Sequence, residues 1–175
     1  AYECSGDPEM KRTALAQTQS FRYRIDHQIE TDTHDLGFLY TPSCVAAWKL
    51  TGSEEAKETA IKAARRLLER FHEKGQFLQA WGKPDEPGNY RLIIDCLLNL
   101  PLLYWAGEVT GDSSYREKAE AHVHTALSVL IRPDSSAYHT YYFDPETGEP
   151  LKGVTHQGYS ADSAWARGQA WGVYG

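Results

Sequence analysis

Residues 91–107 read RLIIDCLLNLPLLYWAG, apolar on nearly every side of a helix and interrupted by a single carboxylate, Asp95. Helices apolar all round are buried, and amphipathic ones cover them. A second apolar stretch, DLGFLYTPSCVAAWKL, occupies residues 35–50, and a third begins near Asp162. Amphipathic, charged runs at about 9–24, 54–73 and 113–131 alternate with them. Each opens after a glycine-containing turn with a capping residue: Ser5-Gly6-Asp7, Thr51-Gly52-Ser53 and Thr110-Gly111-Asp112. The order is outer helix, inner helix, three times over, with irregular spacing.

This alternation predicts an all-α fold, an α/α toroid of which about three helical hairpins are present. A plain α-solenoid is the second reading. Pro42 is expected near the first turn of its helix, and Pro101 as a kink in its own. Strand signals are scarce, and only Tyr138–Phe143 suggests a short extended piece. Turns from inner to outer helices are tight. Connections from outer to inner helices are long, about 75–88 and 133–158. Long loops without structure of their own are usually functional. Both lead to the N-terminal ends of inner helices, which a toroid gathers at one mouth, where helix dipoles favour an anionic ligand.

The chain has 175 residues, 41% hydrophobic and 24% charged, as suits one globular domain or a large piece of one. A net charge of −6 argues against nucleic acid as a partner. No apolar stretch is long enough to cross a bilayer, so no membrane partner is expected. Three widely spaced cysteines fit neither a disulfide framework nor a zinc site, and Cys44 and Cys96 read as small buried hydrophobes. Cysteine usage permits a cytoplasmic location, with a periplasmic address as the alternative. The composition leaves the oligomeric state open. Five Trp and eleven Tyr offer flat faces for stacking, although core packing is the ordinary role of any one of them.

Asp95 carries the chemistry. A carboxylate in apolar surroundings loses hydration, its charged form is disfavoured and its pKa rises. It can then donate a proton near neutral pH. The plainer reading is a core Asp that caps a neighbouring helix or pairs with an Arg. Asp35 stands at the start of another inner helix, where a carboxylate commonly serves the helix dipole. Gly37 would let something approach the backbone there. Arg167 and Trp171, four residues apart, share a helix face that could grip a carboxylate while a sugar ring stacks alongside; Asp162 is the structural alternative for Arg167. Trp81, His139, His156 and Gln157 lie in the long loops. A loop Trp is more often a packing plug and a loop His more often a surface residue, but these share one rim. No phosphate-binding loop is present, and the histidines lack a metal-ligand spacing, so neither metal nor cofactor is expected. Two carboxylates, Trp platforms and amides at a toroid mouth suggest carbohydrate chemistry.

Three segments together resemble the unsaturated glucuronyl hydrolases, glycoside hydrolase family 88: His34-Asp35-Leu36-Gly37-Phe38, residues 91–103, and residues 155–171 (THQGYSADSAWARGQAW). The resemblance covers nearly the whole chain. It implies an (α/α)6 barrel and a reading of residues 1–175 as part of one catalytic domain cut at both ends. It also implies that Asp95 is the acid/base and Asp35 the second essential acid. By the same resemblance His34, Trp81, His139, Gln157, Trp165, Arg167 and Trp171 line the substrate pocket. Loop lengths near Trp81 vary in the family, and Ala161 stands where many members carry an acidic residue. The implied substrate is an unsaturated uronyl oligosaccharide left by a glycosaminoglycan lyase, hydrated at its C4=C5 vinyl ether. Alternatives are an unsaturated rhamnogalacturonyl hydrolase, which fits residues 91–103 less well, and a carbohydrate-binding barrel without activity.

Overall fold

The computed structural model describes residues 1–84 and 86–175. Asp85, inside the first long loop, lies outside the described residues. A short helix α1 (Tyr2–Ser5) precedes α2 (Pro8–Asp26), whose Asp7 side chain accepts from Glu9 N–H. The first inner helix is a continuous run of α3 (Leu36–Tyr40), a π-helical turn (Thr41–Val45) and α4 (Ala46–Thr51). Pro42 therefore sits inside the run rather than at its start. It has no N–H to donate, and the wider π turn accommodates the missing bond. Gly52, at φ 72°, ends the run in the left-handed region.

Outer helix α5 (Glu54–Leu68) is capped by Ser53 and turns a face of Ala56, Ala60, Ala63, Ala64 and Leu67 inward. A hairpin of β1 (Phe71–His72) and β2 (Phe77–Leu78) follows. The second inner segment departs from the sequence expectation. Residues 91–93 form a strand, β3 (Arg91–Ile93), and Ile94–Leu98 a 3-10 turn; the helix proper, α6, is Pro101–Thr110. Ile93 is extended, at φ −126° and ψ 143°, because β3 pairs antiparallel with β4 (Thr140–Phe143). A short apolar run has no periodicity that separates a strand from a helix, and the partner strand decides it. Pro101 consequently starts α6 instead of kinking it.

Outer helix α7 (Ser114–Leu130) covers α6, and β5 (Pro150–Val154) adds a third strand to the β3–β4 ladder. The long 133–158 connection is therefore largely a β-hairpin, and only its first strand was legible as extended. The last inner helix, α8 (Ala166–Tyr174), begins four residues later than Asp162 and packs on the 3-10 turn. A Cβ on Gly168 would come 3.7 Å from Ile94 Cγ2, and one on Gly172 would come 3.1 Å from Ile94 Cδ1. These two glycines, four apart, make the face on which Ile94 rests.

The main core joins α2, α3, α4, α5, α6 and α7 through residues such as Leu36, Tyr40, Ala60, Leu67, Leu102 and Leu103. A second cluster, with Phe77, Leu92, Ile94 and Phe143, lies under the three-stranded sheet. Inner helices lined by outer ones form an arc of an α/α barrel, with β pieces inserted in the outer-to-inner connections. Among the described residues, no helix is long and apolar enough to cross a membrane.

Candidate active site

The mouth of the arc is built by three ties, two between backbone segments and one through the Asn99 side chain. His34 N–H bonds to Ala80 O at 2.8 Å, and Thr33 bridges Trp81, so the loop before α3 lies along the loop that carries Trp81. Ile94 N–H bonds to His139 O at 3.0 Å, which sets His139 beside the Asp95 turn. The buried Asn99 side chain accepts from Phe38 N–H at 2.7 Å and donates to Asp95 O at 3.3 Å. Asn99 thereby fastens the Asp35 helix to the Asp95 turn. What approaches Gly37 is this Asn99 backbone.

Asp95 and Asp35 meet around His34. The imidazole Nε2 is 3.3 Å from Asp95 Oδ1 and 3.4 Å from Asp35 Oδ1. Although these are ion-pair distances, His34 is fully buried, and burial pulls its pKa down to about 3, so the ring is neutral at physiological pH. Neither ring nitrogen has a hydrogen-bond partner, nor has Asp95 Oδ1. Burial first, then the nearby Asp35 charge, push the Asp95 carboxyl up to about 6, while Arg167 opposes the rise. Asp35 is raised as well, again chiefly by burial, with its side chain 44% exposed against 26% for Asp95. Asp35 stands at the N-cap of α3 without making a capping bond, and a side-chain hydrogen bond with Thr33 works against the rise.

Arg167 donates to Gln157 Oε1 at 2.7 Å and has no carboxylate within ion-pair distance among the described residues; Asp162 is not its partner. The ring it touches is that of Trp165, while Trp171 shares its helix four residues on. The guanidinium lies 4.5 Å over the Trp165 ring, which the extended N-cap conformation (φ −106°, ψ 121°) folds back over the helix start. Trp165 lies off the regular helix face, as the spacing predicts, because it is the N-cap residue just before the helix. Trp171 instead packs against Phe38, ring centroids 5.6 Å apart, joining α8 to α3.

His139 is buried and stacks edge-on against Trp165 at 4.8 Å; its Nδ1 accepts from His156 N–H, and burial lowers its pKa to about 4. Trp81 is 41% exposed, with the Arg91 guanidinium 4.6 Å from its ring. Arg91 also donates to Tyr142 Oη, which in turn contacts His156 Nε2 at 2.9 Å. Trp81, Arg91, Tyr142 and His156 form one linked wall. Asp35, Asp95, Trp165, Arg167 and Gln157 therefore gather at the mouth. His34 and His139 lie beneath its surface, and Trp81 stands on the adjoining wall.

Two contributors escaped the sequence reading. Asn99 sits inside the apolar run 91–107, where a lone amide is a signal in its own right. Arg70 is buried, bonds to Gln79 O at 2.8 Å and Gly82 O at 3.0 Å, and so braces the Trp81 loop. Its charge also lowers the Asp35 carboxyl, against the larger effect of burial. An arginine next to the end of an outer helix gives no hint of this in sequence.

Cys96, adjacent to Asp95, is fully buried with its thiol pushed well above its ordinary range by burial and both carboxylates, and it is therefore inert.

The model of the family Glycosyl Hydrolase Family 88 matches residues 1–175. An unsaturated chondroitin disaccharide hydrolase of Streptococcus pyogenes serotype M1 is 58% identical over 175 residues, all of this chain and 44% of that protein. The crystal structure of an unsaturated glucuronyl hydrolase from Streptococcus agalactiae superposes with a TM-score of 0.96 at 56% identity, covering 99% of this chain and 44% of the other. A variant of the Streptococcus agalactiae enzyme solved in complex with dGlcA-GalNAc6S matches at 50% identity and a TM-score of 0.78, over 99% of this chain and 41% of that one. The chain thus spans less than half the length of the relatives it matches, in agreement with an arc of about three hairpins from a larger barrel. The segments that resembled unsaturated glucuronyl hydrolases lie on the mouth just described, and the chain belongs to glycosyl hydrolase family 88.

Proposed function

We propose that the protein to which this chain belongs hydrates the C4=C5 double bond of unsaturated uronyl oligosaccharides, the products of glycosaminoglycan lyases. The observation that carries the reading is the pairing of Asp95 with Asp35 at the barrel mouth, with Asp95 Oδ1 buried and free of any hydrogen bond. A carboxyl titrating near 6 holds its proton long enough to give it up and is basic enough to take one back. Relatives carrying the unsaturated chondroitin disaccharide hydrolase name, and one solved with dGlcA-GalNAc6S, support this substrate class.

In this mechanism Asp95 protonates C4. The C4=C5 electron pair forms the new C–H bond, and positive charge develops at C5, shared with the ring oxygen. The Asp95 carboxylate then takes a proton from water as its oxygen bonds to C5. The resulting hemiketal opens to a C5 ketone, and the hemiacetal left at C1 releases the downstream sugar. Asp95 ends with its proton restored. Asp35 accepts from sugar hydroxyls and, by its charge, keeps Asp95 protonated. Arg167, held by Gln157, faces the uronate carboxylate, and Trp165 and Trp171 flank the ring. Positioned proton transfer of this kind contributes about 10²–10⁴-fold in rate.

The test is loss of the ultraviolet absorbance of the conjugated ene-acid from an unsaturated chondroitin disaccharide, with the whole protein. Asp95→Asn should abolish that loss while leaving disaccharide binding. Turnover that persists in this variant eliminates the assignment. Turnover of pectin-lyase products instead would point to a rhamnogalacturonyl hydrolase, and binding without turnover by the unsubstituted protein to the non-catalytic alternative.

A further inference from the structure

We propose that His34 Nε2, Asp35 and Asp95 together form a site for one divalent transition-metal cation of the zinc type. Three donor atoms, one from each residue, lie within 4.8 Å of one another. A tetrahedral cation with bonds of about 2.0–2.2 Å holds neighbouring ligands about 3.4 Å apart. The two separations from Nε2, 3.3 Å to Asp95 and 3.4 Å to Asp35, match that edge. No hydrogen bond explains them, since Nε2 and Asp95 Oδ1 both lack a partner although each is buried. A fully buried imidazole aimed at two carboxylates it does not bond is the arrangement a cation would complete.

The donor set selects the ion. One imidazole with two carboxylates and no thiolate suits Zn²⁺, Co²⁺ or Mn²⁺. Calcium would need six to eight oxygen ligands, and magnesium dehydrates reluctantly. Neither carboxylate has a Lys or Arg within ion-pair distance among the described residues, because Arg70 is bound to the carbonyls of Gln79 and Gly82 and Arg167 to Gln157. The half-exposed Asp35 leaves an entry path and an open coordination position toward the mouth. His34 Nδ1 has no acceptor behind it, and a missing outer partner weakens metal sites about 10–100-fold. The cation is accordingly held loosely and reversibly. It is no cofactor: it occupies the Asp95 oxygen that would carry the proton and so inhibits. That consequence alone rests on the reading of Asp95 as the acid.

Calorimetric titration of Zn²⁺ into the whole protein, paired with the visible absorbance of Co²⁺, tests the site. One equivalent should bind, with Co²⁺ bands of nitrogen and oxygen ligation. His34→Gln, Asp35→Asn and Asp95→Asn should each weaken binding at least tenfold, while Cys4→Ser and His156→Gln leave it unchanged. Circular dichroism melting without metal establishes that each variant is folded; if His34→Gln is not, the two carboxylate variants decide. Absence of binding, binding unaltered in the carboxylate variants, or binding lost in His156→Gln overturns the proposal. Zn²⁺ that binds as described but leaves turnover of the whole protein intact would refute the role of Asp95 and not the site.

Discussion

Gly37 is pressed against Asn99: a Cβ built on the glycine would lie 2.3 Å from the Asn99 Cα and 2.3 Å from its carbonyl oxygen. Both obstructing atoms are backbone, so neither can swing aside as a flexible side chain would. Gly37→Ala must therefore push α3 away from the turn before α6 and open the distance between Asp35 and Asp95. Forced overpacking of this kind costs about 1–3 kcal/mol. A lower urea midpoint at unchanged slope is the expected result; an unshifted midpoint would show that the contact is relaxed easily.

The same contact can be removed from the other side. Asn99→Leu keeps the volume but leaves Phe38 N–H without its acceptor, at a cost of about 1–3 kcal/mol. Asn99→Asp retains an acceptor for Phe38 but loses the donor to Asp95 O and buries a new carboxyl, so by denaturation it should be the milder of the two only at acid pH, where that carboxyl is protonated.

Asp95 makes the fold pH-sensitive in a definite direction. Its carboxyl titrates near 6 in the folded protein against an ordinary 3.8. Below about pH 4 both states hold the proton and no difference arises. Between 4 and 6 the unfolded chain releases it while the folded chain keeps it, so stability falls as pH rises. Above 6 the full deficit is present, on the order of 3 kcal/mol at most. Asp95→Asn should therefore be more stable than the unsubstituted chain at pH 7–8 by about 1–3 kcal/mol. That advantage should vanish near pH 4. Denaturation at both pH values checks it, and an advantage that persists at pH 4 would assign it to something other than the buried charge.

The broad architecture was legible because helix periodicity is local. Runs such as Glu54–Leu68 carry their caps, their alanine face and their charges in one window. The turn bearing Asp95 was not, because residues 91–93 become a strand only through a partner about fifty residues away. The site divides in the same way. Asp95 announced itself as a charge among apolar residues. The placement of Trp165 over Arg167, by contrast, depends on an extended N-cap, and the bracing role of Arg70 depends on two carbonyls in a distant loop. A metal-ligand spacing search passes over His34-Asp35 because adjacent donors match no spacing pattern, and the third donor comes from another helix pair.

The two charges that face Asp95 act in opposite senses, and this gives the sharpest test of the pair. Asp35 raises the Asp95 carboxyl and Arg167 lowers it. Asp35→Asn removes the repulsion, so the proton on Asp95 should be lost at lower pH, between its present value near 6 and the ordinary 3.8. Arg167→Gln removes the attraction and should move the titration the other way, above 6. Carbon-detected NMR titration of the side-chain carboxyl, with Asp95→Asn assigning the resonance, measures both shifts without any need for turnover. Burial is the larger cause and neither variant abolishes it, so each leaves Asp95 above an exposed aspartate. If both variants shift the titration in the same direction, local unfolding rather than charge is responsible, and the electrostatic account of the pair is wrong.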